Sequence, residues 1–106
     1  MLKLDWEQIL TRYTDNVSLS PLAGSSPMTA SVLGDDAVLV RHKLWQALIT
    51  REHLNTAVAV LDRTPKPVTA VEFAEHLRAF YTSTTDCSRI PNLSAVILAD
   101  LGLLPA

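Results

Sequence analysis

Glu72, Glu75 and His76 fall on one face of an expected helix, where carboxylates and an imidazole could hold a metal ion, and Cys87 could act as a nucleophile if His53 or His76 lay beside it. Spacing argues against both. Di-iron helices place Glu and His three residues apart, whereas His76 directly follows Glu75, and the inverted His-x-x-Glu-His zinc pattern would need a histidine where Glu72 stands. No flanking pattern fixes a Cys–His geometry around Asp86-Cys87-Ser88, so Cys87 reads as an ordinary thiol. Asp35-Asp36 could serve as an acid–base or Mg²⁺ pair, but two aspartates after Gly34 are also what a tight hairpin turn asks for. The three glycines compose no phosphate-cradling pattern, and His42 and His53 each adjoin a charged residue as partly exposed side chains. The expectation is a chain without a catalytic, metal or cofactor site.

The elements that would position such groups are bounded by composition. With 48% apolar and 19% charged residues over a length of 106, the chain can build a packed core and is not a disordered segment, and one domain over 1–106 is expected. A chain this short buries only roughly two thirds of its unfolded surface, so the positive mean hydropathy of +0.20 points to self-association. Nine Lys and Arg against eleven Asp and Glu give a net charge of −2, which removes the bulk electrostatic case for binding a polyanion and leaves only a local patch. The single Cys87 makes no internal disulfide, and Asp5 and Glu7 stand where a signal peptide would be apolar, so the cytoplasm is the expected compartment. Val17 to Gly34 is uncharged over eighteen residues, yet it holds Pro21, Gly24, Pro27 and five serines, so no membrane partner is expected.

Asp5 followed by Gln8 predicts a helix start, and Trp6, Ile9, Leu10 and Tyr13 make one apolar face of a helix over about 6–13. From Val17 the period becomes strand-like. A polar loop from Pro21 to Pro27 precedes a hairpin of Met28–Leu33 and Ala37–Arg41 around Gly34-Asp35-Asp36, and Trp45–Ile49 adds a further strand. Thr50 caps a helix over about 51–62 with Leu54, Ala57, Val58 and Leu61 inward, and Pro65-Lys66-Pro67 separates it from the next. Thr69 and Glu72 form a capping box opening a helix over about 70–82, whose Phe73, Ala74, Leu77, Phe80 and Tyr81 share one face. After a loop from Thr82 to Pro91, Asn92 caps a last helix over about 93–101 that Gly102 stops. The fold class is therefore α+β, a short antiparallel sheet packed with about four helices.

That last helix is apolar almost all round, with Leu93, Ile97, Leu98 and Leu101 on one side and Ala95, Val96 and Ala99 on the other. A helix of this kind either occupies the middle of a domain or gives a face to another chain. In so short a chain the second is expected: a non-catalytic protein-interaction module, a homodimer through Leu93, Val96, Ile97, Leu101 and Leu104 that Ile97→Asp or Leu101→Asp would dissociate. Trp45 could be a further anchor or a core residue. The alternative is a small DNA-associated regulator with a helix-turn-helix-like or winged arrangement, touching nucleic acid through Arg41, Lys43, Arg63, Lys66 and Arg89. Against it stand the connection of about ten residues between the last two helices, where the motif uses three or four, and the shortage of base-reading side chains on the last.

Gly34-Asp35-Asp36 with Val38-Leu39-Val40, then Leu48-Ile49-Thr50-Arg51-Glu52-His53-Leu54 and Ala57, then Asn92-x-Ser94 running to Ile97-Leu98-Ala99, resembles a small strand–strand–helix module that accompanies some restriction-endonuclease-type and uncharacterised bacterial proteins. The resemblance covers roughly two thirds of the chain and rests on hydrophobic spacing and turn residues. It implies an accessory domain near nucleic-acid machinery, with no nuclease chemistry of its own.

Overall fold

Alternating side chains from Val17 to Thr50 build four strands, and the capped helices on either side cover one face of them. The computed structural model describes residues 4–19, 27–64, 69–80 and 90–104. In chain order the elements are α1 (Trp6–Arg12), β1 (Val17–Leu19), β2 (Met28–Val32), β3 (Ala37–His42), β4 (Trp45–Thr50), α2 (Arg51–Asp62), α3 (Ala70–Phe80) and α4 (Ile90–Asp100), an α+β fold. Residues 20–26, 65–68 and 81–89, which include Lys66, Cys87 and Arg89, lie outside the described residues.

The strands form an antiparallel meander in the order β1-β2-β3-β4. Its register pairs Ala30 with Val40, Val38 with Ile49 and Val40 with Ala47, so these residues share the inner face with Leu19 and Met28. Ser18, Thr29, Ser31, Leu39, Arg41, Gln46 and Leu48 take the opposite parity and form the outer face. Gly34, at φ +69°, makes the β2–β3 turn, whose carbonyls anchor two helices: Asp35 O accepts from Trp6 Nε1 at 2.6 Å and Asp36 O from Arg51 N at 2.7 Å.

Thr50 Oγ1 caps α2 by accepting from His53 N, and His53 Nδ1 accepts in return from Thr50 N, both at 3.1 Å. Histidine thus takes the place that Glu or Gln holds in the usual reciprocal cap. Thr69 and Glu72 close the expected capping box before α3. The last helix begins at Ile90, earlier than expected, with Pro91 in its first turn, where the missing N–H costs nothing. Asn92 is not its cap: Asn92 Oδ1 accepts from the Arg78 guanidinium and joins α4 to α3. Gly102, at φ +85°, ends α4 in a Schellman turn, with Leu103 N donating to Leu98 O at 2.9 Å and Gly102 N to Ala99 O at 3.0 Å.

In the structure α4 lies inside the protomer, where its composition suggested an interface. Leu93, Val96 and Ile97 are buried with Trp6 and Ile9 of α1, with Tyr13 at its C-cap, and with Val38, Val40 and Ile49 of the sheet. Ala95 and Leu98 are buried on the opposite side with Ala57, Val58 and Leu61 of α2, Phe73, Ala74 and Leu77 of α3, and Leu104. Leu101 is half-buried against the sheet cluster. Of the five expected interface residues, Leu93, Val96, Ile97 and Leu104 are thus buried within one protomer and Leu101 is half-buried. A helix placed between a sheet and a helical pair is covered on both sides without a second chain, which is why its apolar residues point in every direction.

Arg12, Tyr13 and Asp100 tie the ends of the chain together. Arg12 grips Asp100 through two hydrogen bonds, Nε at 2.6 Å and an Nη at 2.8 Å, and Tyr13 Oη donates to the same carboxylate at 2.6 Å. The Arg12 hydrogen bond holds the Asp100 carboxyl below its ordinary value of 3.8, with the Tyr13 hydroxyl adding to it against the opposing effect of burial. Burial first, and then the hydrogen bond to Asp100, push the Tyr13 hydroxyl well above its usual range.

Because α4 is interior to the protomer, Ile97→Ala should lower unfolding free energy by about 2–5 kcal/mol, and Ile97→Asp should unfold the chain rather than dissociate an assembly. Denaturant titration at several protein concentrations checks this; a loss of mass with the folded state intact would contradict it. Ser94 in the same helix is fully buried, and its hydroxyl has no hydrogen-bond partner among the described residues. Ser94→Ala should therefore leave stability unchanged or raise it by up to about 1 kcal/mol in the same titration.

Candidate interaction surface

The two faces of the sheet differ in what covers them. Inner-face residues belong to the larger core cluster, whereas Leu39 and Leu48 of the outer face belong to neither cluster. Leu39 pairs with Ser31 on β2 and with Leu48 on β4, which makes an apolar centre to the face, and Leu48 is 43% exposed. The next row towards the β3–β4 turn is polar and runs Ser18, Thr29, Arg41 and Gln46.

The β3–β4 hairpin turns through two residues, Lys43 and Leu44, between the paired His42 and Trp45. Turns of this length favour Asn-Gly or Asp-Gly, and neither residue here has that chemistry. Side chains hold it instead: the His42 and Trp45 rings stack with centroids 5.1 Å apart and 8° between planes, and His42 Nδ1 accepts from Leu44 N at 3.2 Å. Trp45 also packs against the core cluster, the second of the two roles open to it. Leu44 is left 80% exposed at the tip, while Leu33, at 51%, is exposed beside the β2–β3 turn at the other end of the sheet.

Charge follows the same axis. From Ala37 to Arg51 there is no carboxylate, and Arg41 and Lys43 are exposed at the hairpin end. Asp35, Asp36 and Glu52 are exposed at the opposite end, where the Arg51 guanidinium lies over the Trp6 ring, 5.5 Å from its centroid.

Of the cations expected on nucleic acid, the structure brings Arg41 and Lys43 together on one hairpin. Arg63 is exposed at the C-cap of α2, a helix that begins at the other end of the sheet from Lys43, and Lys66 and Arg89 lie outside the described residues. Glu72, Glu75 and His76 are exposed, and no group of three or more metal-ligating side chains occurs among the described residues. No helix among them is long and apolar enough to cross a membrane.

Sequence reasoning missed the Arg12–Tyr13–Asp100 cluster and the outer leucines. A signal existed for each. A carboxylate in the last turn of a helix opposes the macrodipole and calls for a cation, and Leu39 and Leu48 stand on the polar phase of strand alternation.

Burial lowers the His53 pKa from its ordinary 6.5, against a weaker opposing effect of Glu52. The unfolded chain therefore binds this proton more readily, so the cap's contribution is full above about pH 6.5 and is lost as pH falls below it. Stability measured from pH 7.5 to 5 should decline, and His53→Gln, which retains a reciprocal cap without titrating, should flatten the decline. An unchanged slope in that variant would contradict the assignment.

The chain matches no protein-family model, no curated protein and no solved structure.

Proposed function

We propose that this chain is a non-catalytic protein-interaction module that self-associates, and that the outer face of its sheet takes the role the sequence suggested for α4. One observation carries the reading: the Leu39–Leu48 pair sits on a sheet face outside both core clusters, flanked at the two ends of the sheet by exposed Leu44 and Leu33. Four polar side chains among the described residues have structural work. His53 closes the cap of α2, Asp100 holds Arg12 and Tyr13, Asn92 accepts from Arg78, and His42 braces a turn. The positive mean hydropathy favours the same conclusion.

The carboxylate-free stretch from Ala37 to Arg51 favours a second reading, a small DNA-associated regulator that touches phosphate through Arg41 and Lys43. It accords with the accessory role that the resemblance implies. Such binding would fall steeply with salt and disappear on changing both cations to alanine, because phosphate contacts release counterions.

Sedimentation equilibrium over a wide concentration range separates the two. Self-association requires an average mass rising above the 11.6 kDa protomer with concentration. Protomer mass up to millimolar concentration, together with salt-sensitive DNA binding, would replace the first reading by the second.

A further inference from the structure

We infer that the outer sheet face pairs with the same face of a second copy, strands antiparallel, about a two-fold axis that crosses the strands at the Leu39–Leu48 row. The inference rests on the self-association reading and adds the surface and its orientation. An isologous contact must be complementary to itself, and this face has what that requires: an apolar row near the middle, Arg41 and Lys43 towards one end, and Asp35, with Asp36 beside it in the turn, at the other.

Strand geometry fixes where the charges meet. At about 3.3 Å per residue, Arg41 lies roughly 7 Å and Lys43 roughly 13 Å beyond Leu39 on one side, and Asp35, in phase with the outer face, lies roughly 13 Å beyond it on the other. Rotation about the central row carries Asp35 of the second copy to the level of Lys43 of the first, twice in the dimer. Leucines meet leucines across the axis at the spacing of packed sheets, about 10 Å. The parallel alternative would set hairpin over hairpin and aspartates over aspartates, so repulsion selects the antiparallel one.

Size sets the strength. Four strands about 4.8 Å apart and up to six residues long make a small face, at the low end of specific interfaces, so the dimer should be concentration-dependent and weakened by salt.

The test uses the full chain and charge reversal at exposed positions. Arg41→Glu with Lys43→Glu makes both ends of the face acidic, and Asp35→Lys with Asp36→Lys makes both basic. The inference requires each variant alone to dimerise at least tenfold more weakly than wild type and an equimolar mixture of the two to recover a heterodimer. Leu48→Glu should abolish the dimer with the circular dichroism spectrum unchanged. Monomeric wild type would overturn the self-association reading itself. A wild-type dimer indifferent to Leu48→Glu, or charge variants that do not recover on mixing, would overturn the face and orientation while leaving self-association in place.

Discussion

The burial of α4 on both sides is the constraint on which the rest of the structure depends. Leu93, Val96 and Ile97 close the sheet cluster and Ala95 and Leu98 close the α2–α3 cluster, so one eleven-residue helix joins two cores that α2 also bridges, through Leu54 on one side and Ala57, Val58 and Leu61 on the other. Either cluster without it would present an open apolar surface to water. Proximity in sequence alone does not assemble such a core, since α4 packs on α1 and the sheet, both remote from it in the chain. The Arg12–Tyr13–Asp100 cluster acts on the same joint: it fixes the end of α4 to the end of α1, across 88 residues of chain, through charge-assisted hydrogen bonds.

From that placement follows the asymmetry of the sheet. With α1, α2 and α4 contributing to the inner-face cluster, the demand for apolar cover on that side is met. The outer face keeps the polar alternation of a solvated antiparallel sheet, except at Leu39, Leu48 and the buried Ala37 at the start of β3. Two leucines paired across adjacent strands on the wet side are a local departure from the pattern of the fold, and such departures are where function is to be sought. The turn at Lys43-Leu44 is another, a tight hairpin whose residues lack turn chemistry and whose geometry is held by a stacked pair behind it.

Most of the secondary structure could be read from the residues. The bounds of α2, the caps at Asp5, Thr50 and Thr69, and the hairpin at Gly34 follow from local rules that tertiary packing did not overrule. The start of α4 did not follow, because Asn92 spends its acceptor on Arg78, a long-range bond that cap statistics do not see. The role of α4 did not follow either. Apolar residues on all sides of a helix look the same whether the second cover is another protomer or another layer of the same one, and only the three-dimensional order of layers decides. The outer leucines were visible as residues but not as a pair, since pairing needs the register between strands.

Native-state hydrogen exchange of the α4 amides, from Leu93 to Leu98, followed as protein concentration is lowered, tests the central claim most directly. If α4 is enclosed by its own protomer, its amides exchange among the slowest in the chain and at a rate independent of concentration. Protection that fades on dilution would show that a second chain supplies part of the cover, and would contradict the account.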